Sequence, residues 1–172
     1  MIELSLAEIA TAMGGQLSDG SDSQRRLSAS SVQTDSRLNT PGSIFFALRG
    51  ETTDGHLFAA KALENGAALV IAERPLDLDV TQIIVHDGVA ALQALARFVV
   101  AAVRGKGELK VVAVTGSNGK TTTKNMLRSI LQSVGETVAP QGSFNNDVGA
   151  PITMLQVSDA TKFLVVEMGA DG

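Results

Sequence analysis

The chain contains no cysteine, tryptophan or tyrosine, and aromatic residues make up only 3% of its 172 residues. Without cysteine it forms no disulfide and offers no thiolate to a metal, and the cytoplasm is the default compartment expected for it. With so few stacking rings and a formal net charge of -4, it lacks the basic, ring-studded surface that holds nucleic acid. Any anionic ligand must therefore be gripped by local groups. Long uninterrupted apolar runs are missing too. The longest, Val89 to Val103, is broken by Gln93 and Arg97, and the N-terminus MIELSLAEIA carries Glu3 and Glu8 where a secretory leader would be basic. Neither a leader nor a membrane span is expected, and a monomer is the expected state.

What remains is ordinary for a folded protein: 44% hydrophobic and 19% charged residues, too apolar for a disordered chain. Ser5-Leu-Ala-Glu8 has the capping-box spacing, and Gly14-Gly15 offers a stop, which predicts a helix over 6–13. Ser18 to Ser31 reads as a polar loop. Ser43-Ile-Phe-Phe-Ala-Leu48 reads as a buried strand, and His56 to Asn65 as a helix with Phe58, Ala59, Ala62 and Leu63 on one face. Ala68 to Ala72 and Gln82 to Val85 supply further strands, and Asp87 can cap an amphipathic helix over Val89 to Val103.

Arg104-Gly-Lys-Gly-Glu108 is the Gly and charge cluster between two apolar segments, so a domain boundary is placed there. Beyond it, Lys110 to Thr115 reads as a strand and Thr121 to Val134 as a helix burying Met126, Leu127, Ile130, Leu131 and Val134. Thr137 to Ala139 and Lys162 to Met168 read as strands, with a helix starting near Pro151; Met154, like Met126, reads as core packing. The fold class expected is α/β: a small mixed α/β N-terminal domain, 1–104, then the beginning of a P-loop parallel-sheet central domain, 109–172. About three strands are few for a parallel sheet, which normally has both faces covered, so this second domain is expected to be truncated.

The stretch VVAVTGSNGKTTTKNML, residues 111–127, is the strongest local signal. A strand running into a Gly-rich turn and then a helix gathers free backbone amides and the positive end of the helix dipole at one point, which suits a phosphate. In this pattern Gly116 and Gly119 shape the turn, Lys120 meets the outer phosphates, and the Thr121 hydroxyl reaches Mg²⁺. The full P-loop pattern wants a glycine where Val114 stands, so the loop is tighter than usual. Glu167 closes the apolar run Phe163 to Val166, on a strand expected beside the P-loop strand. Ligands in open α/β sheets bind at that end, where a carboxylate suits a nucleotide's Mg²⁺.

Three segments taken together go further. Thr115-Gly-Ser-Asn-Gly-Lys-Thr-Thr122, then Ser143-Phe-Asn-Asn-Asp-Val-Gly-Ala-Pro151, then Val165-Val-Glu-Met-Gly-Ala170 resemble the Mur ligase family of peptidoglycan synthesis. Thr34-Asp-Ser-Arg37, Phe46-Ala-Leu-Arg-Gly50 and Asp54-Gly-His56 resemble the uridine-nucleotide-binding domain of two of its branches. The match is nearest to the members that join D-alanyl-D-alanine to UDP-N-acetylmuramoyl-tripeptide, using ATP and Mg²⁺.

The resemblance implies that Gly116, Ser117, Asn118, Gly119, Lys120, Thr121 and Thr122 surround ATP, that Thr121 and Glu167 serve magnesium, and that Lys120 and Glu167 are catalytic. Asn145 or Asn146 would face the nucleotide, with Asn146 preferred. Ser36, Arg37, Arg49, Asp54, Gly55 and His56 would lie near the UDP moiety, making 1–104 the UDP-muramoyl-peptide-binding domain and 109–172 an incomplete ATP-binding domain. Because family members continue well past this point, the chain alone is expected not to ligate. A folylpolyglutamate synthase-like ligase shares the tight loop but gives no reason for the N-terminal domain. A non-catalytic UDP-sugar-binding module is the alternative from another class.

Overall fold

A computed structural model describes residues 1–18, 22–50, 52–140, 142 and 146–169. The chain divides into two compact units, Glu3–Leu95 with Met1, and Ala96–Gly172 with Ile2.

The first unit opens with strand β1 (Leu4–Ser5) and helix α1 (Leu6–Met13). Ser5 caps α1 through its hydroxyl, which accepts the Glu8 amide at 3.1 Å, while the Glu8 carboxylate accepts the Ser5 amide at 2.7 Å. These bonds satisfy amides that the first helical turn leaves open, and those from Ser5 hold the Glu8 carboxyl below its usual range. Gly14 ends the helix in the left-handed region, φ 63°. Strand β2 (Gln16–Leu17) follows.

The stretch expected as a plain loop contains strand β3 (Arg26–Leu27), antiparallel to β1. Strands β4 (Val32–Gln33), β5 (Ser43–Phe46), β6 (Ala67–Ala72) and β7 (Gln82–Ile84) are parallel neighbours, and β2 pairs antiparallel with β7, giving the sheet order β2-β7-β6-β5-β4. Every residue of β5 is buried, as its unbroken apolar run requires. Phe45, Ala47, Val70 and Ala72 pack with Ala59 and Ala62 of helix α2 (Ala59–Glu64) into one core.

The helix expected to begin at His56 is entered through a 3-10 turn, Gly55–Phe58, and that turn carries Phe58 outward to 43% exposure. Phe58 thus leaves the face shared by Ala59 and Ala62, because three residues per turn rotate it off the α-helical stripe.

Helix α3 (Gly88–Gly105) is held at its start by Asp87, whose carboxylate accepts the Ala90 amide at 2.9 Å. Its length and apolar composition would suffice to cross a membrane. It nevertheless has a buried stripe, Leu92, Leu95, Ala96, Val99 and Val103, and exposes Arg97 and Arg104, the pattern of a helix lying on a protein core.

The second unit contains β8 (Lys110–Val114), α4 (Lys120–Gln132), β9 (Thr137–Val138), α5 (Gly149–Met154) and β10 (Phe163–Glu167). Its sheet has the order β8-β10-β9 with both pairings parallel. Val114, Ala139 and Val165 form a small core against Leu127 and Leu131 of α4.

The rest of α4 departs from expectation. Met126 and Ile130 are each 61% exposed and Val134 is 66% exposed, whereas Lys124 is fully buried. The apolar stripe of this helix is wider than one contact face, and the sheet takes only its Lys124, Leu127 and Leu131 side. Met126 is therefore a surface residue.

Candidate functional site

In the second unit, β8 and β10 run parallel with Glu167 opposite Val114, so strand β10 ends level with the start of the glycine loop that follows β8. The loop turns at Gly116, φ 140°, and Gly119, φ 78°, conformations that L side chains rarely adopt. Gly119 is also the N-cap of α4 and, as a glycine, brings no capping side chain to the amides of the first turn. In a 13-residue helix those amides and the dipole present a positive terminus to the loop. The Lys120 ammonium folds over the loop and donates to the Gly116 carbonyl at 2.5 Å. Ser117, Asn118, Gly119, Thr121 and Thr122 are exposed.

Glu167 is buried, with a side chain only 2% exposed. The fully buried Lys124 lies beside it, Nζ to Oε2 3.8 Å, and donates to the Gly142 carbonyl at 2.5 Å. Lys124 lies within the stretch 111–127, and the motif reading gives it no role. The available signal was its place on the same helical stripe as Lys120, Leu127 and Leu131.

Asn146 is exposed, and its Oδ1 accepts the amides of Gly149 at 2.7 Å and Val148 at 3.3 Å, at the entry to α5. Asn145, the other asparagine considered for the nucleotide, lies outside the described residues. Among the described residues no group of three or more His, Asp or Glu side chains gathers around a point. Mg²⁺ usually keeps several waters and takes one or two protein oxygens together with phosphates. A carboxylate at Glu167 and a hydroxyl at Thr121 are that kind of supply.

In the first unit, the second group of expected residues follows the carboxyl ends of the parallel strands β4 and β5. Ser36 is buried in a 3-10 turn after β4. Arg37 follows it, largely exposed and folded back on Asp35 with Nη2 2.6 Å from Oδ2. This guanidinium holds the Asp35 carboxyl down at about 2.

After β5, Arg49 and Asp54 face each other across an antiparallel bridge, and Gly55 follows, close against the Leu48 backbone. Its amide donates to the Leu48 carbonyl at 2.8 Å, and a Cβ on Gly55 would stand 2.4 Å from that oxygen. No other residue fits there without the turn shifting.

Asp54 binds His56 twice, accepting its amide at 3.0 Å and its Nδ1–H at 2.5 Å, and accepts Arg74 at 2.9 Å through the other oxygen. These partners, His56 first and then Arg74, hold the Asp54 carboxyl well below the usual carboxylate range. His56 is buried, and its Nε2 accepts the Glu73 amide at 2.9 Å. The Glu73 carboxylate in turn binds Arg49 at 3.0 Å and accepts the Gly88 amide at 3.0 Å.

The structure therefore brings Arg49, Asp54 and His56 into one network and adds Glu73 and Arg74, which sequence reasoning missed. Their partners are remote in sequence, so no local pattern announced them. Ser36 is linked to the C-terminal end of α2 by Asn65, which donates to its carbonyl at 2.9 Å.

The Mur ligase middle domain family matches residues 114–172. The UDP-N-acetylmuramoyl-tripeptide--D-alanyl-D-alanine ligase of Mycobacterium tuberculosis strain H37Rv is 40% identical over 190 residues, covering 99% of this chain and 37% of that protein. Its Escherichia coli K12 counterpart is 40% identical over 171 residues, covering 99% and 36%. The chain thus spans a little over a third of the length of the curated relatives it matches.

Among solved structures, the UDP-N-acetylmuramoylalanyl-D-glutamyl-2,6-diaminopimelate--D-alanyl-D-alanyl ligase of Acinetobacter baumannii superposes with a TM-score of 0.86 at 36% identity, over 98% of this chain and 37% of that one. MurF ligase from Thermotoga maritima, solved in complex with ADP, gives 0.68 at 35% identity, over 83% and 32%. Residues 114–172 thus match the Mur ligase middle domain, and almost the whole of this chain is similar to about a third of the MurF ligases, in sequence and in fold.

Proposed function

We propose that this chain supplies the substrate-recognition domain, 1–104, and the phosphate-binding part of the ATP domain, 109–172, of a ligase that joins D-alanyl-D-alanine to UDP-N-acetylmuramoyl-tripeptide. The observation that carries the reading is the in-register pairing that sets Glu167 opposite Val114, where the chain enters the loop that leads to Lys120 and Thr121 at the start of α4.

A free carboxylate is a poor electrophile, so amide formation needs one of its oxygens turned into a leaving group. In this reading a carboxylate oxygen of the muramoyl peptide attacks the γ-phosphorus of ATP, ADP departs, and an acyl phosphate forms. The dipeptide amine then attacks the carbonyl carbon, inorganic phosphate leaves with the bonding pair, and the amine loses a proton. The chain's part is positioning and charge. The loop amides and the start of α4 cradle the phosphates, and Lys120 leaves the Gly116 carbonyl to offset the negative charge that crowds the transfer. Mg²⁺, held by Thr121 and Glu167, would supply further neutralisation of the phosphate oxygens.

The first unit recognises the uridine nucleotide. Ser36, Arg37 and Arg49 follow the carboxyl ends of parallel strands, where open α/β sheets bind ligands. The Asp54, Gly55 and His56 turn holds its shape by internal bonds and acts as the rigid wall of that site. On this reading the protein works in the cytoplasm.

Calorimetric titration with UDP-N-acetylmuramoyl-tripeptide, with UDP-N-acetylglucosamine as control and Mg-ATP added afterwards, tests both halves. Selective muramoyl binding together with Mg-ATP binding is expected. Equal affinity for the two UDP sugars would remove the muramoyl substrate from the reading, and failure to bind Mg-ATP would remove the nucleotide.

A further inference from the structure

Lysine is almost never fully buried unless it is paired, because its ammonium loses hydration that apolar neighbours cannot replace. Lys124 is 0% exposed, the one fully buried lysine among the described residues. It occupies the face of α4 that Leu127 and Leu131 turn to the sheet, where a third aliphatic side chain would serve packing alone. The position instead holds a cation one helical turn beyond Lys120 and Thr121.

Its Nζ donates to the Gly142 carbonyl at 2.5 Å and lies 3.8 Å from Glu167 Oε2, an ion pair too long for a hydrogen bond. Gly142 has φ 69°, so its carbonyl is set by a left-handed turn that other residues adopt with strain. One ammonium therefore ties three elements together: the helix that follows the phosphate loop, the turn at Gly142, and the end of β10.

We propose that Lys124 is a positioning residue that fixes the Glu167 carboxylate at the mouth of the phosphate loop and so sets how strongly Mg²⁺ contributes to nucleotide binding. The inference rests on the reading of the second unit as a nucleotide site. Lys124 does not touch the nucleotide. It anchors the carboxylate from the protein side by its charge, and removing the outer partners of metal ligands typically weakens metal affinity about 10- to 100-fold.

The test compares ADP affinity in EDTA and in Mg²⁺ for the chain as it stands and for Lys124→Met, by titration of a fluorescent ADP analogue. Lys124→Met is expected to bind ADP in EDTA as the parent does and to lose about tenfold of the gain that Mg²⁺ brings. A lysine that only packs the core would lower the melting temperature and leave the ratio of the two affinities alone; an unchanged ratio in folded protein overturns the proposal. A larger Mg²⁺ gain overturns it too, because the ammonium would then act as a charge competing with the metal. If the parent chain binds no ADP under either condition, the nucleotide reading itself fails and takes the inference with it.

Should Lys124→Met not fold, ¹⁵N-lysine spectra of the parent decide, since a buried ammonium exchanges its protons slowly. Adding Mg²⁺ to the ADP-bound protein is expected to move the Lys124 Nζ resonance, and an unmoved resonance overturns the proposal.

Discussion

The Nε2 of His56 accepts the backbone amide of Glu73 at 2.9 Å. An acceptor nitrogen carries no proton, so the neutral ring has its hydrogen on Nδ1, facing Asp54. Both ring nitrogens are thus engaged inside the protein, and His56 holds its turn against the end of β6. Replacing it with phenylalanine leaves the Glu73 amide and one Asp54 oxygen without this partner, and is expected to cost about 2–3 kcal/mol of stability. Urea denaturation measures it; a loss near zero would show that the network bears no load.

Asp54 gives the pH dependence a sign. Its folded-state carboxyl titrates below the ordinary value of 3.8, chiefly because His56 and Arg74 donate to it. The stability it contributes is present above that ordinary value and is lost as pH falls through the lower folded value. Asp54→Asn should therefore melt below the parent at pH 7, and the gap should narrow as the pH drops below about 4. A gap constant from pH 7 to pH 3 would contradict the assignment.

Gly55 is fixed by space. A methyl group there would stand 2.4 Å from the Leu48 carbonyl oxygen and 2.9 Å from the Leu48 nitrogen. Gly55→Ala is expected to destabilise the first unit by about 1–3 kcal/mol, the usual cost of forcing atoms into a filled site. UDP-sugar affinity should fall with it, and the second unit's ADP binding should not. Loss of both together would mean that the damage is not local.

Lys120 is half-buried and donates to the Gly116 carbonyl of the loop itself. Lys120→Ala is expected to leave the melting temperature within a degree or two and to weaken ADP about 10- to 100-fold, the worth of a charge-assisted contact. Unchanged ADP affinity would refute the loop's assigned role.

The parts of this fold that the sequence announces are those with a local cause. The Ser5 and Glu8 box, the Asp87 cap and the apolar run of β5 each follow from neighbouring residues, and each stands where expected. So does the strand that carries Glu167 beside the loop strand. The strands β1 to β4 run only two residues each, too short for a period-two pattern to be seen, and exist because a distant strand pairs with them.

Helix α4 fails for a different reason. Apolar residues at 126, 127, 130, 131 and 134 cover more of the helix than one sheet can touch, and only the packed structure chooses between Leu127 and Met126. The same choice buries Lys124, a residue that hydropathy would assign to solvent.

Asn146 divides its side chain between two tasks. Because its oxygen already receives the amides of Val148 and Gly149, the atom it can still extend to a passing ligand is its nitrogen, a donor. The turn before α5 is thus polarised by its own folding: it can greet an electron-rich group and has little to say to an electron-poor one. Aspartate at this position would keep the two amides satisfied and put a second oxygen where the donor had been, preserving the architecture while reversing its chemical preference.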